Sequence, residues 1–415
     1  MMHTFKKLKK DSFFYFLGKL LPAAIGLASV SIFVRLIGKG MYGHYTLVFS
    51  LVLILNSVGS GWLSQGVLRF MTSYGDDDKR DLKEGVYLGS IYSFLLTGIL
   101  LALALPFISE ISFGLMAVCV ILLFLGQIYS IKISFAQVEL SSLKLLVAEV
   151  VRVAVGFAVT IGIILIFGHT NYMVILYGAL AGFLVSWLAI LGGQVLPRRA
   201  VINKKIMAKI FAYGWPFTLW FAFSYLLNVS DRYLIGYFDG VEAVGVYSAV
   251  YDVVFKSLTF VMAPIALAAH PLITLLWNKQ EYTGAAKVLS RSVKLQLGLF
   301  ILSLPVIYYG SAYITYVVLG AHDEMASKIV LPVAIGSFIW QLAMLVHKPL
   351  ELELSTKRMA VFAGVALAAN FAANIVLIPR YGYIAAAYTT IMGATVYFLL
   401  VFKRYMLFFS RTRQE

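Results

Sequence analysis

Apolar runs of about twenty residues recur along this chain and decide what it can fold into. Residues 86–107 and 115–131 are two such runs. About twenty apolar residues in a helix cross a hydrocarbon core of about 30 Å. In lipid, each backbone polar group needs a partner within its own segment, so these runs must be helical. The sequence therefore predicts an all-α integral membrane protein.

The number of runs predicts about twelve transmembrane helices in two six-helix lobes. The chain is 61% apolar and 13% charged, whereas soluble domains are about 45–50% apolar and about 25% charged. The predicted lobes are residues 1–196 and 211–415, joined by a linker at 197–210. The predicted spans are residues 12–37, 43–67, 85–107, 112–135, 145–167, 172–195, 211–237, 244–271, 295–319, 329–352, 359–378 and 383–402.

The net charge of +15 is placed asymmetrically. With the N-terminus inside, the outer loops hold Lys39, Lys328 and Arg380, and every other Lys or Arg between the spans lies on the inner side. This pattern follows the positive-inside rule and predicts both termini in the cytoplasm. The basic charge therefore indicates topology and contact with membrane lipids, and we expect no nucleic-acid partner.

The connections are short, so we expect no extramembrane domain. The longest, residues 278–294, is basic with apolar residues interleaved and predicts an interfacial helix. The first span is too long for a signal peptide. No phosphate-binding loop, metal motif or nucleophile–base motif is present in the sequence. We therefore expect neither an enzyme nor a bound metal or cofactor, and Cys119, the single cysteine, excludes an intramolecular disulfide.

Two short motifs suggest that the lobes are repeats. Tyr42-Gly43-His44-Tyr45 opens the second span, and Val244-Gly245-Val246-Tyr247 opens the eighth. Because six spans separate equivalent positions, the repeats would have the same orientation in the membrane. Secondary transporters are commonly built in this way.

Charged residues inside the spans are the candidate functional residues. Lys256 lies near the middle of the eighth span, with Asp252 one helical turn away. Such charges are costly in lipid and persist when they are paired or face water. We therefore expect Lys256, Arg232 and Lys19 to line an aqueous cavity, and the alternative is a buried Asp252–Lys256 pair.

Three further cations complete the candidate set. Arg35 and Arg69 lie near span ends, from which they can also reach lipid headgroups. Arg152 is three residues from Glu149, so the two can pair on one helix face. A cationic cavity suits an anionic ligand such as phosphate. The acids Asp231, Asp252 and Glu149 are candidates for pairing or for carrying a coupling ion.

Several motifs occur in the order typical of one transporter family. They are Arg35-Leu36-Ile37-Gly38 with Tyr42–Tyr45, Asp231-Arg232-Tyr233-Leu234-Ile235-Gly236 with Gly245-Val246-Tyr247-Ser248, Leu304-Pro305 with Leu319-Gly320, and Asn370, Asn374, Ile378-Pro379-Arg380-Tyr381-Gly382 with Ala385-Ala386-Ala387. In these motifs the chain resembles the polysaccharide and O-antigen flippases of the multidrug/oligosaccharidyl-lipid/polysaccharide exporter superfamily. Ala385 stands where the family usually has glycine.

The resemblance implies a function and a location. Family members move an undecaprenyl-pyrophosphate-linked oligosaccharide across the bacterial cytoplasmic membrane by alternating access, between two V-shaped six-helix lobes. By this resemblance, Lys19, Arg232 and Lys256 would hold the pyrophosphate and sugar. Glycosyltransferases and a glycan polymerase of an O-antigen, capsule or exopolysaccharide pathway are the implied partners.

Two alternatives remain from the sequence. A multidrug cation antiporter of the same superfamily would share the fold, but it should carry more acids than bases in its cavity. A membrane polysaccharide polymerase would need a larger outer loop than any in this chain.

Overall fold

The structure is a computed structural model that describes residues 2–110, 112–193, 196–197 and 203–411, with side chains described except at residues 2–16, 19 and 409–411. Throughout those ranges, regular secondary structure is helical, which confirms the predicted all-α class. The helices of the first half are α1 (Met2–Ile37), α2 (Lys39–Phe70), α3 (Asp76–Ala104), α4 (Phe113–Val138), α5 (Ser142–Phe167) and α6 (Met173–Ser186). The helices of the second half are α7 (Lys204–Phe238), α8 (Val241–Asn278), α9 (Tyr282–Leu319), α10 (Glu324–Val346), α11 (Lys348–Leu352), α12 (Thr356–Tyr381) and α13 (Tyr383–Arg411).

Twelve helices within the described ranges are long and apolar enough to cross a membrane. They match the twelve predicted spans one for one and make this a multi-pass membrane protein. A single 3-10 turn (Leu105–Phe107) extends α3, and a π-helical turn (Trp187–Leu191) extends α6. The short α11 follows α10 directly at the break formed by His347.

One predicted element, the interfacial helix, is wrong. Residues 278–294 do not form a separate interfacial helix, because α8 ends at Asn278 and α9 runs unbroken from Tyr282 to Leu319. The buried residues Ala285 and Leu289 continue the packed face of α9 through this segment. α7 begins at Lys204, within the stretch 197–210 that the sequence suggested as a linker.

Helix ends follow ordinary capping chemistry. The Ser112 hydroxyl accepts a hydrogen bond from the Leu115 N–H at 3.1 Å, and the Asp323 carboxylate accepts one from the Ala326 N–H at 3.0 Å. Both are N-caps that satisfy a backbone donor left without an intrahelical partner. α5 ends at Gly168, whose φ of 65° is the left-handed conformation that glycine adopts without strain.

Backbone contacts divide the chain into two compact units. The first unit is Met1–Ser29 with His44–Ala222, and the second is Val30–Gly43 with Phe223–Glu415. Two segments pack with a different unit from the one that a division at residues 197–210 would give them. Residues 30–43 pack with the second unit, and residues 204–222 pack with the first.

In the first unit, α7 begins against α2 and α3. Ile206 and Ile210 are buried with Leu63 and Val67. A methyl group added at Gly214 would overlap the backbone of Trp62, so the two helices touch backbone to backbone. This packing explains why the first half of α7 belongs to the first unit. A larger core joins α2, α4 and α6, where the rings of Tyr129 and Phe183 lie 5.3 Å apart.

In the second unit, α10 packs closely on α13. A methyl group on Gly336 would come within 3.1 Å of the Ile391 backbone nitrogen, and the rings of Trp340 and Tyr397 lie 5.2 Å apart. The motif residues Ala386 and Ala387 are fully buried. Small side chains here allow the helix backbones to approach, as is usual where helices meet in a membrane.

The two repeat motifs meet inside the second unit. A methyl group on Gly43 would overlap the Val241 carbonyl oxygen, and one on Gly245 would overlap the Lys39 carbonyl oxygen. Lys39 lies four residues before Gly43, and Val241 lies four residues before Gly245. The first turns of α2 and α8 therefore make the same contact with each other in both directions, which is a local two-fold relation.

Candidate functional site

Three charged residues of α7 and α8 form the centre of the candidate site. The Arg232 guanidinium donates to Asp252 Oδ1 at 2.5 Å, and Lys256 Nζ lies 3.7 Å from Asp252 Oδ2. The four-residue spacing places Asp252 and Lys256 on one face of α8. A single carboxylate is thus shared by two cations.

The two cations differ in exposure. The Arg232 side chain is 6% exposed, and that of Lys256 is 37% exposed. Arg232 also lies over the Tyr251 ring at 5.6 Å, a cation–π arrangement, and its Nε is buried without a hydrogen-bond partner. Of these two cations, Lys256 is therefore the more accessible.

Asp231 does not pair with the side chain of its neighbour Arg232. Its carboxylate accepts hydrogen bonds from the Arg232 backbone N–H at 2.9 Å and from the Tyr247 hydroxyl at 2.5 Å. Asp231 is 1% exposed. The Tyr247 hydroxyl also lies 3.4 Å from the Thr390 hydroxyl, which links α7 and α8 to α13.

A buried polar network on α12 and α13 lies in the same unit. The Asn370 amide donates to the Thr389 carbonyl at 2.9 Å, and the Asn374 amide donates to Asn370 Oδ1 at 3.1 Å. Thr389 donates to Asn374 through its hydroxyl. In the sequence, Asn370 and Asn374 stand out only as motif residues. Two amide side chains four residues apart in an apolar span are the pattern that could have predicted this hydrogen-bond network.

In the first unit, Glu149 and Arg152 pair with each other at 2.9 Å. The Arg152 guanidinium carbon lies 5.4 Å from the Tyr129 ring centre and 5.1 Å from that of Phe183. The pair that the spacing suggested is therefore formed. Arg69 is exposed at the end of α2 and lies 5.9 Å from the Tyr213 ring centre.

Arg35 is occupied with the end of a neighbouring helix. Its guanidinium donates to the Tyr316 carbonyl at 3.1 Å and to the Val317 carbonyl, which are among the last carbonyls of α9. A cation at this position is favoured by the helix dipole. The side chain of Lys19 lies outside the described residues, so its predicted role stays a prediction.

Comparison with known proteins identifies the type of fold. The family model described as polysaccharide biosynthesis protein matches residues 8–277. A putative O-antigen transporter of Shigella flexneri is 22% identical, over 91% of this chain and 93% of that protein. The lipid II flippase MurJ, in an inward closed conformation, superposes with a TM-score of 0.67 at 14% identity, over 96% of this chain and 90% of the other.

Multidrug transporters share the same architecture. An inward-facing multidrug resistance transporter of the MATE family superposes with a TM-score of 0.69 at 11% identity, over 96% of both chains. At these identities the similarity shows the fold, which is that of MATE and MurJ transporters. These three proteins are a putative O-antigen transporter, a lipid II flippase and a multidrug resistance transporter.

Proposed function

The chain belongs to the polysaccharide biosynthesis protein family, and on that basis we propose that it flips an undecaprenyl-pyrophosphate-linked oligosaccharide across the bacterial cytoplasmic membrane. The cargo would be the repeat unit of an O-antigen, a capsule or an exopolysaccharide. Glycosyltransferases would supply it on the inner side, and a glycan polymerase would use it on the outer side. Both termini would face the cytoplasm, as the placement of Lys and Arg predicts.

The observation that carries the proposal is the accessible Lys256 ammonium. Asp252 already has a close partner in Arg232 at 2.5 Å, whereas its contact with Lys256 is longer at 3.7 Å. A phosphate oxygen can replace Asp252 beside Lys256 without leaving that carboxylate unpaired. Charge-assisted bonds to phosphate are strong where water is scarce. Lys256 therefore binds the pyrophosphate in this proposal, and Arg232 positions Asp252.

The remaining candidate cations have supporting roles in the proposal. Arg69 and Lys19 would contribute to sugar and phosphate binding, and so would Arg152 and Arg35 when released from their present partners. The acids Asp231, Asp252 and Glu149 would carry a coupling ion or balance the cations. Transport then proceeds by alternating access, with the polyprenyl tail kept in the bilayer.

A multidrug antiporter is the second candidate function. It is favoured by the superposition on multidrug transporters and by the buried Asp231 carboxylate. In that function the carboxylate would alternate between a proton and a cationic drug. The two candidates differ in their cargo, so one deletion strain separates them.

The test uses cells in which the gene is deleted. We expect lipid-linked repeat units to accumulate on the inner face, and the wild-type gene to restore outer delivery. Lys256→Ala should fail to restore it, Lys256→Arg should restore part of it, and the exposed Lys403→Ala should behave like wild type. Normal glycan delivery in the deletion strain, together with new drug sensitivity, would favour the antiporter.

A further inference from the structure

A second cluster of ionisable groups lies in the second unit, where α8, α10, α11 and α13 meet. Its centre is Glu351 on α11. Lys348 Nζ lies 2.6 Å from Glu351 Oε2, His347 Nε2 lies 2.8 Å from Oε1, and His270 Nδ1 of α8 lies 3.8 Å from Oε2. We name this group, His270, His347, Lys348 and Glu351, the Glu351 cluster.

The cluster is closed around His347 and half open at His270. His347 is 1% exposed, and its Nδ1 lies 3.1 Å from the hydroxyl of the fully buried Tyr397 on α13. Among the described residues, no charged side chain of α12 or α13 comes within ion-pair distance of Glu351. The charged and titratable groups that face the carboxylate are therefore His270, His347 and Lys348.

The charge balance makes the cluster responsive to protons. Lys348 balances the charge of Glu351 whether or not His270 carries a proton. Histidine ordinarily changes charge between about pH 5 and pH 8. His270 at 3.8 Å is beyond a hydrogen bond, and it gains an ion pair with Glu351 only when it is protonated.

His270 is placed where α8 can bend. Pro271 follows it directly, and Pro264 lies six residues earlier. Each proline removes one backbone hydrogen bond from the helix and allows a kink. His270 is also about 21 Å along α8 from Lys256, at 1.5 Å per residue. The contact between His270 and Glu351 joins α8 to α11, in addition to the stacking of the Trp277 ring on Phe408 of α13 at 5.5 Å.

We propose that the Glu351 cluster is a proton-binding site, in which a proton on His270 fixes the end of α8 to α11. Protonation forms the ion pair, and loss of the proton removes this tie between α8 and α11. The proton adds to His270 Nδ1 and remains there, so no other group changes its bonding. Lys348 shares the carboxylate and competes with His270 for it. This site is separate from Lys256 and does not depend on the identity of the cargo.

The test measures one distance as a function of pH. Spin labels are placed on cysteines introduced at the exposed Lys279, after α8, and at the exposed Lys357, in the first turn of α12. Cys119 is buried and is replaced by alanine, which leaves the two labels unique. The protein is reconstituted in vesicles without cargo. We expect a narrow, short distance distribution at pH 5 and a broader, longer one at pH 8.

Three variants decide the outcome. His270→Gln should give the broad distribution at both pH values, and because His270 is half exposed its loss should not prevent folding. Glu351→Gln should do the same where it folds. His169→Gln, in the exposed loop after α5, should keep the response of the wild-type protein. Equal distributions at the two pH values in the wild-type protein, or an unchanged response in His270→Gln, would overturn the proposal.

Discussion

At the scale of single residues, the molecule gives several of the charges inside its spans a specific partner. Arg232 has Asp252, Arg152 has Glu149, and Asp231 has the Tyr247 hydroxyl. The sequence identified the charged residues but not most of these partners. Only pairs within one helical turn, such as Glu149 and Arg152, follow from spacing, because contacts between helices depend on packing that a single sequence does not reveal.

Removal of the Asp252 carboxylate should destabilise the protein more than removal of the Lys256 ammonium. Asp252→Asn leaves the buried Arg232 without its charge partner, and breaking a buried pair costs about 3–5 kcal/mol. Lys256→Met removes a partly exposed cation and should cost less than about 1 kcal/mol. Thermal unfolding in detergent measures both. Asp76→Asn, at an exposed pair, is the control, and equal losses for Asp252 and Lys256 would contradict this assignment.

The hydroxyl of Tyr247 should matter for stability without any change in charge. Tyr247→Phe removes the donor that Asp231 accepts in a fully buried position. A hydrogen bond to a charged group contributes about 1.5–3 kcal/mol, so the melting temperature should fall. Tyr388→Phe, at an exposed position of α13, is the matched control and should melt like the wild-type protein. An unchanged melting temperature in Tyr247→Phe would mean that Asp231 finds another donor.

At the scale of helices, apolar length predicted every span, but it did not predict every end. α9 runs through residues 282–294 because buried Ala285 and Leu289 hold the segment to its neighbours. The polar composition of that segment suggested a surface helix, since composition alone does not show which face is covered. Asn370 and Asn374 were missed as a network for the same reason.

The glycine contact between α2 and α8 gives a prediction with an internal control. Gly43→Ala would place a methyl group against the Val241 carbonyl, and overpacking of this kind costs about 1–3 kcal/mol. Gly40→Ala, one turn earlier in α2, meets no atom within 4 Å and should be stabilising by about 0.5–1 kcal/mol. Unfolding of the two variants under the same conditions compares them directly. A neutral Gly43→Ala would show that the helices separate readily.

The start of α10 should depend on pH through Asp323. Although burial alone would raise it, the hydrogen bond from the Ala326 N–H and the nearby Lys39 ammonium lower the pKa of Asp323 below its ordinary value. A lowered pKa in the folded state adds stability above the unfolded pKa of about 3.9, and this stability is lost as the pH falls through the folded value. Asp323→Asn should therefore melt below wild type at pH 7, and the difference should vanish in strong acid. If Asp323→Asn still melts below wild type in strong acid, the loss of stability comes from packing and not from the charge of Asp323.

At the scale of the whole molecule, the sequence predicted the membrane class, the number of spans and the family, because these follow from composition and ordered motifs. It did not predict that residues 30–43 and 204–222 pack as they do. Close backbone contacts at Gly43, Gly214 and Gly245 hold these two segments in their units. Glycine in a sequence does not identify the helix that approaches it.

The orientation of the whole chain is open to a direct test. The positive-inside rule predicts that a phosphatase fused at the loops after Phe167, Phe238 or Leu319 is active, since these loops would face outward. Fusions after Val138 or Asn278, or at the C-terminus, should be inactive. A cytoplasmic reporter fused at the same positions should give the opposite pattern. Activity of the phosphatase at the C-terminus would show that the chain has the opposite orientation to the one predicted.

The reciprocal contact of Gly43 and Gly245 has a consequence for the ancestry of the chain. An interface in which each partner offers the same surface is the kind that two identical subunits make. A chain of half this length, carrying one such glycine, could therefore form the same contact with a second copy of itself. Joining two copies of the gene would keep the contact and free each copy to diverge elsewhere. The pair would then be a remnant of a homodimer, preserved because neither glycine can gain a side chain while the other helix stays in place.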